Sequence, residues 1–264
     1  MVELRDVSFR AGNTLILDRV TARFRSNAFN VILGPNGAGK STLLRLATGL
    51  ATPTQGEVRY GDRAIGDFDS VELARTRAVL SQHVELAFPL PVIDVVMMGR
   101  YPHYGRVPTP HDRAIVERAL EMVGMIDRRE QAYPTLSGGE RQKVQLARVL
   151  AQIWSDGPAT DETRRNPHYL FLDEPTTSLD VHYQIQILDI ARGLPSLDCT
   201  IVAILHDLNV AFEYGEHFVL LERGRVALEA ERASDIGQAD LERVFQVRAR
   251  RLDDGGRTFW RFAL

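Results

Sequence analysis

The chain has 264 residues, of which 44% are hydrophobic and 25% are charged, so it can bury a large core in one or two domains. Its formal net charge of −3 gives no broad basic surface, and we therefore expect no nucleic-acid partner. The single cysteine, Cys199, excludes a disulfide framework within the chain, and its apolar surroundings predict a buried, inert thiol.

The N-terminal residues lack the basic and apolar stretches of a signal peptide. No run of residues approaches the ~20 apolar positions that a membrane-spanning helix needs. We therefore expect a cytoplasmic protein that reaches a membrane only through a partner.

From residue 1 to about 82, apolar, β-branched and aromatic residues alternate between glycine-containing turns, which predicts short strands. These predicted strands cover residues 2–9, 16–24, 29–33, 57–60 and 78–82. From about residue 83 to 167, apolar residues recur at three-to-four spacing, which is typical of helices. The predicted helices cover 93–98, 114–123 and 140–153, and the polar stretch 155–166 is expected to be a surface loop.

From residue 168 onward the chain returns to alternating strands and helices. Strands are predicted over 168–172, 200–205, 217–221 and 226–229, helices over 181–192 and 208–214, and a hairpin over 247–262. The whole pattern predicts a mixed α/β fold.

One segment fits the pattern GxxxxGK[ST] of a phosphate-binding loop and follows a predicted strand. Glycines let successive backbone N–H groups converge on phosphate oxygens, and a helix that begins near Lys40 points its positive end at the same anion. Lys40 can reach the β- and γ-phosphates, and the Ser41 hydroxyl can ligate Mg²⁺. A glycine-rich turn that only joins a strand to a helix is the alternative. The predicted nucleotide-binding residues are Gly34, Pro35, Asn36, Gly37, Ala38, Gly39, Lys40, Ser41 and Thr42.

The second motif is the apolar strand 168–172 followed by two acids, Asp173 and Glu174. The residue that follows a buried parallel strand lies at the carboxyl edge of the sheet. There Asp173 can order the Mg²⁺ shell opposite Ser41, and Glu174 can polarise the attacking water. An ordinary strand that ends in a charged turn is the alternative, and the presence of the phosphate loop argues against it.

Residues 136–142, LSGGERQ, resemble the LSGGxxQ signature of ATP-binding cassette ATPases, a string that is highly specific to this family. Gln82 resembles the family's Q-loop glutamine, Ser178-Leu179-Asp180 resembles its D-loop, and His206 resembles its switch histidine. The order and spacing of these motifs match the family from about residue 3 to 230.

The resemblance implies a P-loop NTPase cassette that forms a single domain over residues 1–264. Residues 1–82 and 168–264 would form a RecA-like α/β core with an antiparallel β subdomain, and about 83–167 would form the helical signature subdomain. It further implies ATP hydrolysis with Mg²⁺ by a head-to-tail homodimer that encloses two ATP molecules. Each ATP would be held by the phosphate loop of one subunit and the signature of the other.

The family pattern also assigns roles to residues outside the phosphate loop. Ser137, Gly138 and Gly139 would contact the γ-phosphate across the dimer, since they offer a hydroxyl, open N–H groups and a helix start. Asp180 would belong to the same nucleotide site. Glu174, His206 and Gln82 would be catalytic, with His206 as a hydrogen-bond donor to the γ-phosphate and Gln82 as a contact of Mg²⁺ or water. A lone histidine or glutamine carries little information, so these two roles depend on the family pattern.

One position departs from that pattern. The family commonly stacks adenine on an aromatic residue, and the matching position here is Ala11. Phe9 lies two residues earlier, on the same side of a regular strand, and could substitute. Phosphate binding is therefore better supported by the sequence than adenine selectivity.

Residues 88–92, followed by 96–103, resemble the region after the Q-loop in importers of iron chelates, cobalamin and haem. Residues 73–79 and 146–154 most resemble haem-importer ATPases. This implies the ATPase subunit of a hemin importer on the cytoplasmic face of the bacterial inner membrane. Its partners would be two integral-membrane permease subunits and, indirectly, a periplasmic binding protein. The alternatives are an ATPase of a siderophore or cobalamin importer and, with less support, a soluble non-transport ATPase.

The apolar residues that follow the Q-loop have two interpretations. Leu90, Val92, Met97 and Met98 could be exposed and line a groove for a short helix of the permease. They could instead fill the core of the helical subdomain.

Overall fold

The computed structural model describes residues 1–81, 88–154, 168–177, 179–254 and 257–264. The described chain forms two compact units: unit 1 comprises Met1–Asp67 and Val202–Leu264, and unit 2 comprises Phe68–Ile201. Both units combine strands with helices, which confirms the mixed α/β class. The prediction of one domain with a helical part over 83–167 stays a prediction.

An antiparallel sheet of unit 1 contains four strands in the order β2-β1-β4-β5. They are β1 Val2–Ala11, β2 Thr14–Phe24, β4 Gln55–Tyr60 and β5 Arg63–Ala64. From Val20 to Phe24 of β2, buried apolar residues alternate with exposed polar ones, so one face of this strand is packed and the other faces solvent.

A second sheet of unit 1 supports the phosphate loop. Its strands are β3 Phe29–Leu33, β9 His217–Glu222 and β10 Arg225–Ala230, together with the last three residues of β8 Cys199–Ile204. β3 runs parallel to β9, and β10 pairs antiparallel to β9. All five residues of β3 are buried, as expected for an apolar strand covered on both faces. Helix α1 Lys40–Ala47 follows the loop after β3.

The C-terminal part of unit 1 contains α7 Leu208–Tyr214, α8 Gln238–Phe245 and the hairpin of β11 Arg248–Asp254 with β12 Arg257–Ala263. Asn209 of α7 fixes the hairpin, because its side chain donates to the Trp260 backbone oxygen at 3.1 Å and accepts from the Trp260 N–H at 2.8 Å. The predicted hairpin is confirmed.

Unit 2 contains the helices α2 Ser70–Thr76, α3 Val92–Met97, α4 Pro110–Met122, α5 Gly138–Ile153 and α6 Val181–Gly193, with β6 Arg77–Leu80 and β7 His168–Asp173. β6 pairs parallel to β7, from Arg77 opposite Tyr169 to Leu80 opposite Leu172. Helix α5 is central, since it contacts α2, α3, α4, β6 and β7. Among the described residues, no helix is long and apolar enough to span a bilayer.

Val92 belongs to the core of unit 2. Its side chain has no exposed surface, so of the two interpretations the buried core position is confirmed for Val92 and the open groove is wrong. Val92 is buried because it begins α3, whose Val95 and Val96 are also fully buried. Leu90, Met97 and Met98 are half-buried, which fits the two interpretations equally.

Candidate functional site

The loop between β3 and α1 in unit 1 contains three glycines with positive φ, Gly34, Gly37 and Gly39. Gly34 adopts φ +148, and a Cβ there would lie 2.3 Å from the backbone oxygen of Leu221. Gly37 adopts φ +78, although no described atom lies within 4 Å of the place its Cβ would take. Positive φ therefore disfavours any residue other than glycine at both positions, and at Gly34 there is also no space for a Cβ. Such a loop can turn successive N–H groups toward one anion.

Helix α1 begins without a side-chain cap, because its N-cap residue is Gly39. The first N–H groups of a helix have no partner within the helix, and the positive end of its dipole lies at the same place. A phosphate group interacts favourably with both. Ser41 and Thr42 lie in this first turn, beside the predicted phosphate position.

Lys40 places a positive charge inside the loop. Its side chain is buried, and Nζ donates to the backbone oxygens of Gly34 at 2.8 Å and Pro35 at 3.1 Å. An ammonium group donates three hydrogen bonds and accepts none, so these carbonyl oxygens offset part of the cost of its burial. A cation held beside N–H donors complements the charge of a polyphosphate.

The outer side of the loop faces solvent and a small cavity. Asn36 and Gly37 are exposed, whereas Pro35 is half-buried and Ala38 is buried. A cavity of about 260 Å³ lies against these four residues, and its other walls are Glu222, Arg223, Val244, Phe245 and Gln246. The Gly224 N–H donates to the Ala38 oxygen at 3.1 Å. The turn after β9 therefore supports the loop.

In unit 2, β7 presents Asp173 and Glu174 at its carboxyl end. The interior residues of the strand are buried, whereas both acids are half-buried. Glu174 adopts φ +52, in the left-handed region that residues other than glycine seldom occupy. Carboxylate oxygens at this edge can bind a hard cation or accept a proton from water.

Ser137 caps the N-terminus of α5 in a capping box with Glu140. The Ser137 N–H donates to Oε2 of Glu140 at 2.9 Å, and the Glu140 N–H donates to Oγ of Ser137 at 3.4 Å. The hydrogen bond from the Ser137 backbone is the main cause that lowers the pKa of Glu140, and Arg128 lies 2.7 Å from the same carboxylate. A side-chain hydrogen bond from Ser137 to the Glu140 carboxylate also helps to lower that pKa. Ser137 and Gly138 are exposed, so an anion can approach this helix end.

Gly139 is buried against α6. A Cβ at Gly139 would lie 2.4 Å from the ring of Tyr183, a distance that no side chain tolerates. Asp180 caps α6 by accepting the N–H of Tyr183 at 3.0 Å. Nζ of Lys143 lies 5.3 Å from the centroid of the Tyr183 ring, within the range of a cation–π contact. The first turns of α5 and α6 are therefore packed together, which brings Gly139 and Asp180 to one end of unit 2.

The remaining predicted residues are His206, Gln82 and the D-loop serine. His206 lies in unit 1, exposed, between β8 and α7. Its neighbour Asp207 caps α7 by accepting the N–H groups of Asn209 and Val210. Gln82 and Ser178 lie outside the described residues. Unit 1 thus contains the phosphate loop and His206, unit 2 contains the acidic strand end, the signature and Asp180, and the assigned roles stay predictions.

Three side chains that the sequence reasoning did not assign support these residues. Tyr183 packs on Gly139, Thr177 donates to the Glu174 carboxylate, and Gln142 donates to the Pro175 backbone oxygen at 3.2 Å. Gln142 is the last residue of the signature string and could have been identified from it. The Tyr183 contact depends on tertiary packing, and the Thr177 contact depends on the conformation of the turn after β7.

Known proteins resemble this chain over most of its length. The family model for the ABC transporter matches residues 17–177. The hemin import ATP-binding protein HmuV of Bradyrhizobium diazoefficiens is 40% identical over 94% of this chain and 90% of its own length. Its namesake from Gloeobacter violaceus is 41% identical over 86% of this chain and 80% of its own length.

Solved structures agree with this likeness. The dimeric structure of a bacterial ABC transporter cassette is 28% identical to this chain, with a TM-score of 0.71. The match covers 88% of this chain and 98% of that cassette.

Proposed function

The chain belongs to the ABC transporter family, and we propose that it is the ATP-hydrolysing subunit of an importer whose cargo is hemin. As an ABC ATPase it binds ATP and has the P-loop NTPase cassette fold. The observation that carries the proposal is the phosphate loop of unit 1, where glycine-dependent backbone turns surround the buried ammonium group of Lys40. The loop residues from Gly34 to Thr42 would hold the triphosphate.

The oxygen donors of the site fit Mg²⁺. A hydroxyl at Ser41 and a carboxylate at Asp173 are the kind of ligand that this small, hard cation prefers. We assign Ser41, Asp173 and Gln82 to Mg²⁺, directly or through water. When bound, Mg²⁺ would offset the negative charge of the β- and γ-phosphates.

Glu174 and His206 are assigned to the hydrolysis of ATP to ADP and phosphate. The water oxygen forms a bond to the γ-phosphorus, and the bond from that phosphorus to the oxygen shared with the β-phosphate breaks. The electron pair of the broken bond leaves with ADP, and one proton of the water passes to the Glu174 carboxylate. His206 donates a hydrogen bond to a γ-phosphate oxygen, so both residues act through position and charge.

A homodimer would complete each nucleotide site. Ser137, Gly138 and Gly139 present a hydroxyl and a helix start on the exposed end of α5, which suits the γ-phosphate of an ATP held by a second copy. Asp180 caps the adjacent helix α6 and would join that interface. The dimeric form of the similar bacterial cassette supports this arrangement.

The relatives support the proposed cargo and membrane partners. Proteins about 40% identical over most of this chain are named as hemin import subunits. We therefore place the chain at the cytoplasmic face of the inner membrane, on two permease subunits that receive hemin from a periplasmic binding protein. An ATPase of a siderophore or cobalamin importer is the second candidate, because the sequence after residue 88 also resembles those importers.

A substitution of Glu174 tests the proposed hydrolysis of ATP. Glu174→Gln keeps the side-chain shape and removes the base, so ATP binding should persist while turnover falls by about 10²-fold or more. Phosphate release by the purified protein measures turnover, and equilibrium binding measures affinity for ATP. Glu213→Gln on α7 is the matched control, since it changes an exposed glutamate outside the site. Near-normal hydrolysis by Glu174→Gln would remove Glu174 from its catalytic role.

A further inference from the structure

Glu174 has a backbone conformation that is unfavourable for a residue with a Cβ and for a residue that precedes a proline. Its φ of +52 lies in the left-handed region, and the next residue is Pro175. A Cβ disfavours this region, and a following proline pushes a residue toward extended backbone. Backbone conformations of this kind persist where the surrounding structure fixes them, and they cluster at functional sites. The contacts that fix Glu174 therefore bear on the proposed reaction.

Thr177 makes two hydrogen bonds to Glu174. Its backbone N–H donates to the Glu174 backbone oxygen at 3.2 Å, which closes a turn. Its Oγ1 donates to Oε2 of Glu174, also at 3.2 Å. One residue thus fixes both the backbone and the carboxylate of Glu174.

Two glutamine side chains tie the turn to the helices of unit 2. Gln142 of α5 donates from Nε2 to the backbone oxygen of Pro175 at 3.2 Å. Gln184 of α6 donates from Nε2 to the backbone oxygen of Leu179 at 2.9 Å. Because the backbone is fixed on both sides of Thr177, the Thr177 hydroxyl has a defined position relative to Glu174.

We propose that Thr177 is a positioning residue, whose hydroxyl holds the Glu174 carboxylate in one orientation toward the attacking water. A glutamate side chain has several rotatable bonds, and only some of its rotamers can accept a proton from a given water. A hydrogen bond to Oε2 increases the population of one of them. The inference rests on the proposed function, in which Glu174 activates that water, and it adds the residue that orients Glu174.

The test compares Thr177→Val, which keeps the shape and removes the hydroxyl, with Thr177→Ser, which keeps the hydroxyl. In the full-length protein with its permease, Thr177→Val should lower kcat for ATP about tenfold, since small misplacements of reacting groups cost up to about 10²-fold. The KM for ATP should stay within about twofold, because Thr177 does not bind ATP in this account. Thr177→Ser should restore kcat to within about threefold of the original protein. Thr52→Val is the matched control, an exposed threonine on the turn between α1 and β4.

Thermal melting separates positioning from stability. If Thr177→Val melts earlier than the original protein, Thr177→Ala replaces it, because it also lacks the hydroxyl and adds no second methyl group. An unchanged kcat in the hydroxyl-free variant that folds would overturn the proposal, and so would a kcat lowered equally by Thr177→Ser. Glu174→Gln is measured in parallel, because it tests the catalytic role of Glu174 separately from the positioning role of Thr177. If Glu174→Gln abolishes turnover while the hydroxyl-free variant is normal, only the positioning role of Thr177 fails, whereas an active Glu174→Gln removes Glu174 from the catalytic role on which the positioning role rests.

Discussion

Lys40 and Glu174 occupy positions that cost free energy in the folded chain. Lys40 is buried with its charge, and Glu174 has a left-handed backbone before a proline. A residue in a sparsely populated backbone region costs about 1–3 kcal/mol, and local hydrogen bonds must offset that cost. The carbonyl oxygens around Lys40 and the Thr177 contacts to Glu174 do so. Both residues take part in the proposed chemistry.

Lys40→Ala should weaken ATP binding by the isolated subunit. The change removes a charged donor from the phosphate site, which is worth about 1.5–3 kcal/mol, or roughly 10- to 150-fold in Kd. Titration of ATP into the purified subunit measures this loss. Lys143→Ala is the matched control, because Lys143 lies over the Tyr183 ring in unit 2 and should not change binding by a single subunit. Equal affinities of the original protein and Lys40→Ala would contradict the assignment.

The phosphate loop was predictable from sequence because its glycines, lysine and serine act through local backbone geometry. The Thr177 and Tyr183 contacts were not, because they join residues whose approach depends on the turn after β7 and on the packing of α5 against α6. Residue identity thus predicts a functional site where the geometry of the site is set by the local backbone. The structure is needed to find contacts that depend on how the elements are arranged.

At the scale of elements, strands and helices with strong apolar periodicity were predicted to within a few residues. β3 and α7 have the predicted limits, and α5 begins two residues earlier than predicted, because Ser137 caps it. The short helices α2 and α8 were missed. Asp69 caps α2 by accepting the N–H groups of Val71 and Glu72, a signal that could have identified it.

A buried ion pair connects three elements of unit 2. Arg100 and Asp112 are almost fully buried, with Nε of Arg100 3.0 Å from Oδ1 of Asp112. Nη1 of Arg100 also donates to the backbone oxygens of Ala151 and Trp154 at 2.7 Å each. Arg100 therefore ties the turn after α3 to the start of α4 and the end of α5.

Arg100→Ala should destabilise the protein strongly. It leaves the Asp112 carboxylate and two carbonyl oxygens buried without this donor, and loss of one partner of a buried pair costs about 3–5 kcal/mol. Urea unfolding measures the free energy of unfolding. Arg106→Ala, at an exposed arginine of the same loop, should change it by less than about 0.5 kcal/mol. Equal stability of the two variants would contradict the structural role of Arg100.

At the scale of the whole molecule, the family was predictable because the phosphate loop, the signature and the acidic strand end occur together in one order. The described chain forms compact units divided at Asp67 and Ile201, and the predicted helical part over 83–167 stays a prediction. Periodicity indicates where helices begin, whereas compact units depend on which segments pack together. Val92 is an example. The sequence alone does not decide whether this apolar residue is exposed or buried, and the structure shows that it is buried.

The most direct test of the account is ATP hydrolysis by the chain in complex with its permease, in the presence of a periplasmic binding protein. The hemin-loaded binding protein should raise hydrolysis above the basal rate, whereas siderophore- or cobalamin-loaded proteins should not. In the same assay Ser137→Arg should abolish hydrolysis while the isolated subunit still binds ATP, because bulk and charge at the start of α5 would block the second half of the site. Stimulation by another cargo alone would contradict hemin import, and full hydrolysis by Ser137→Arg would contradict the two-subunit site.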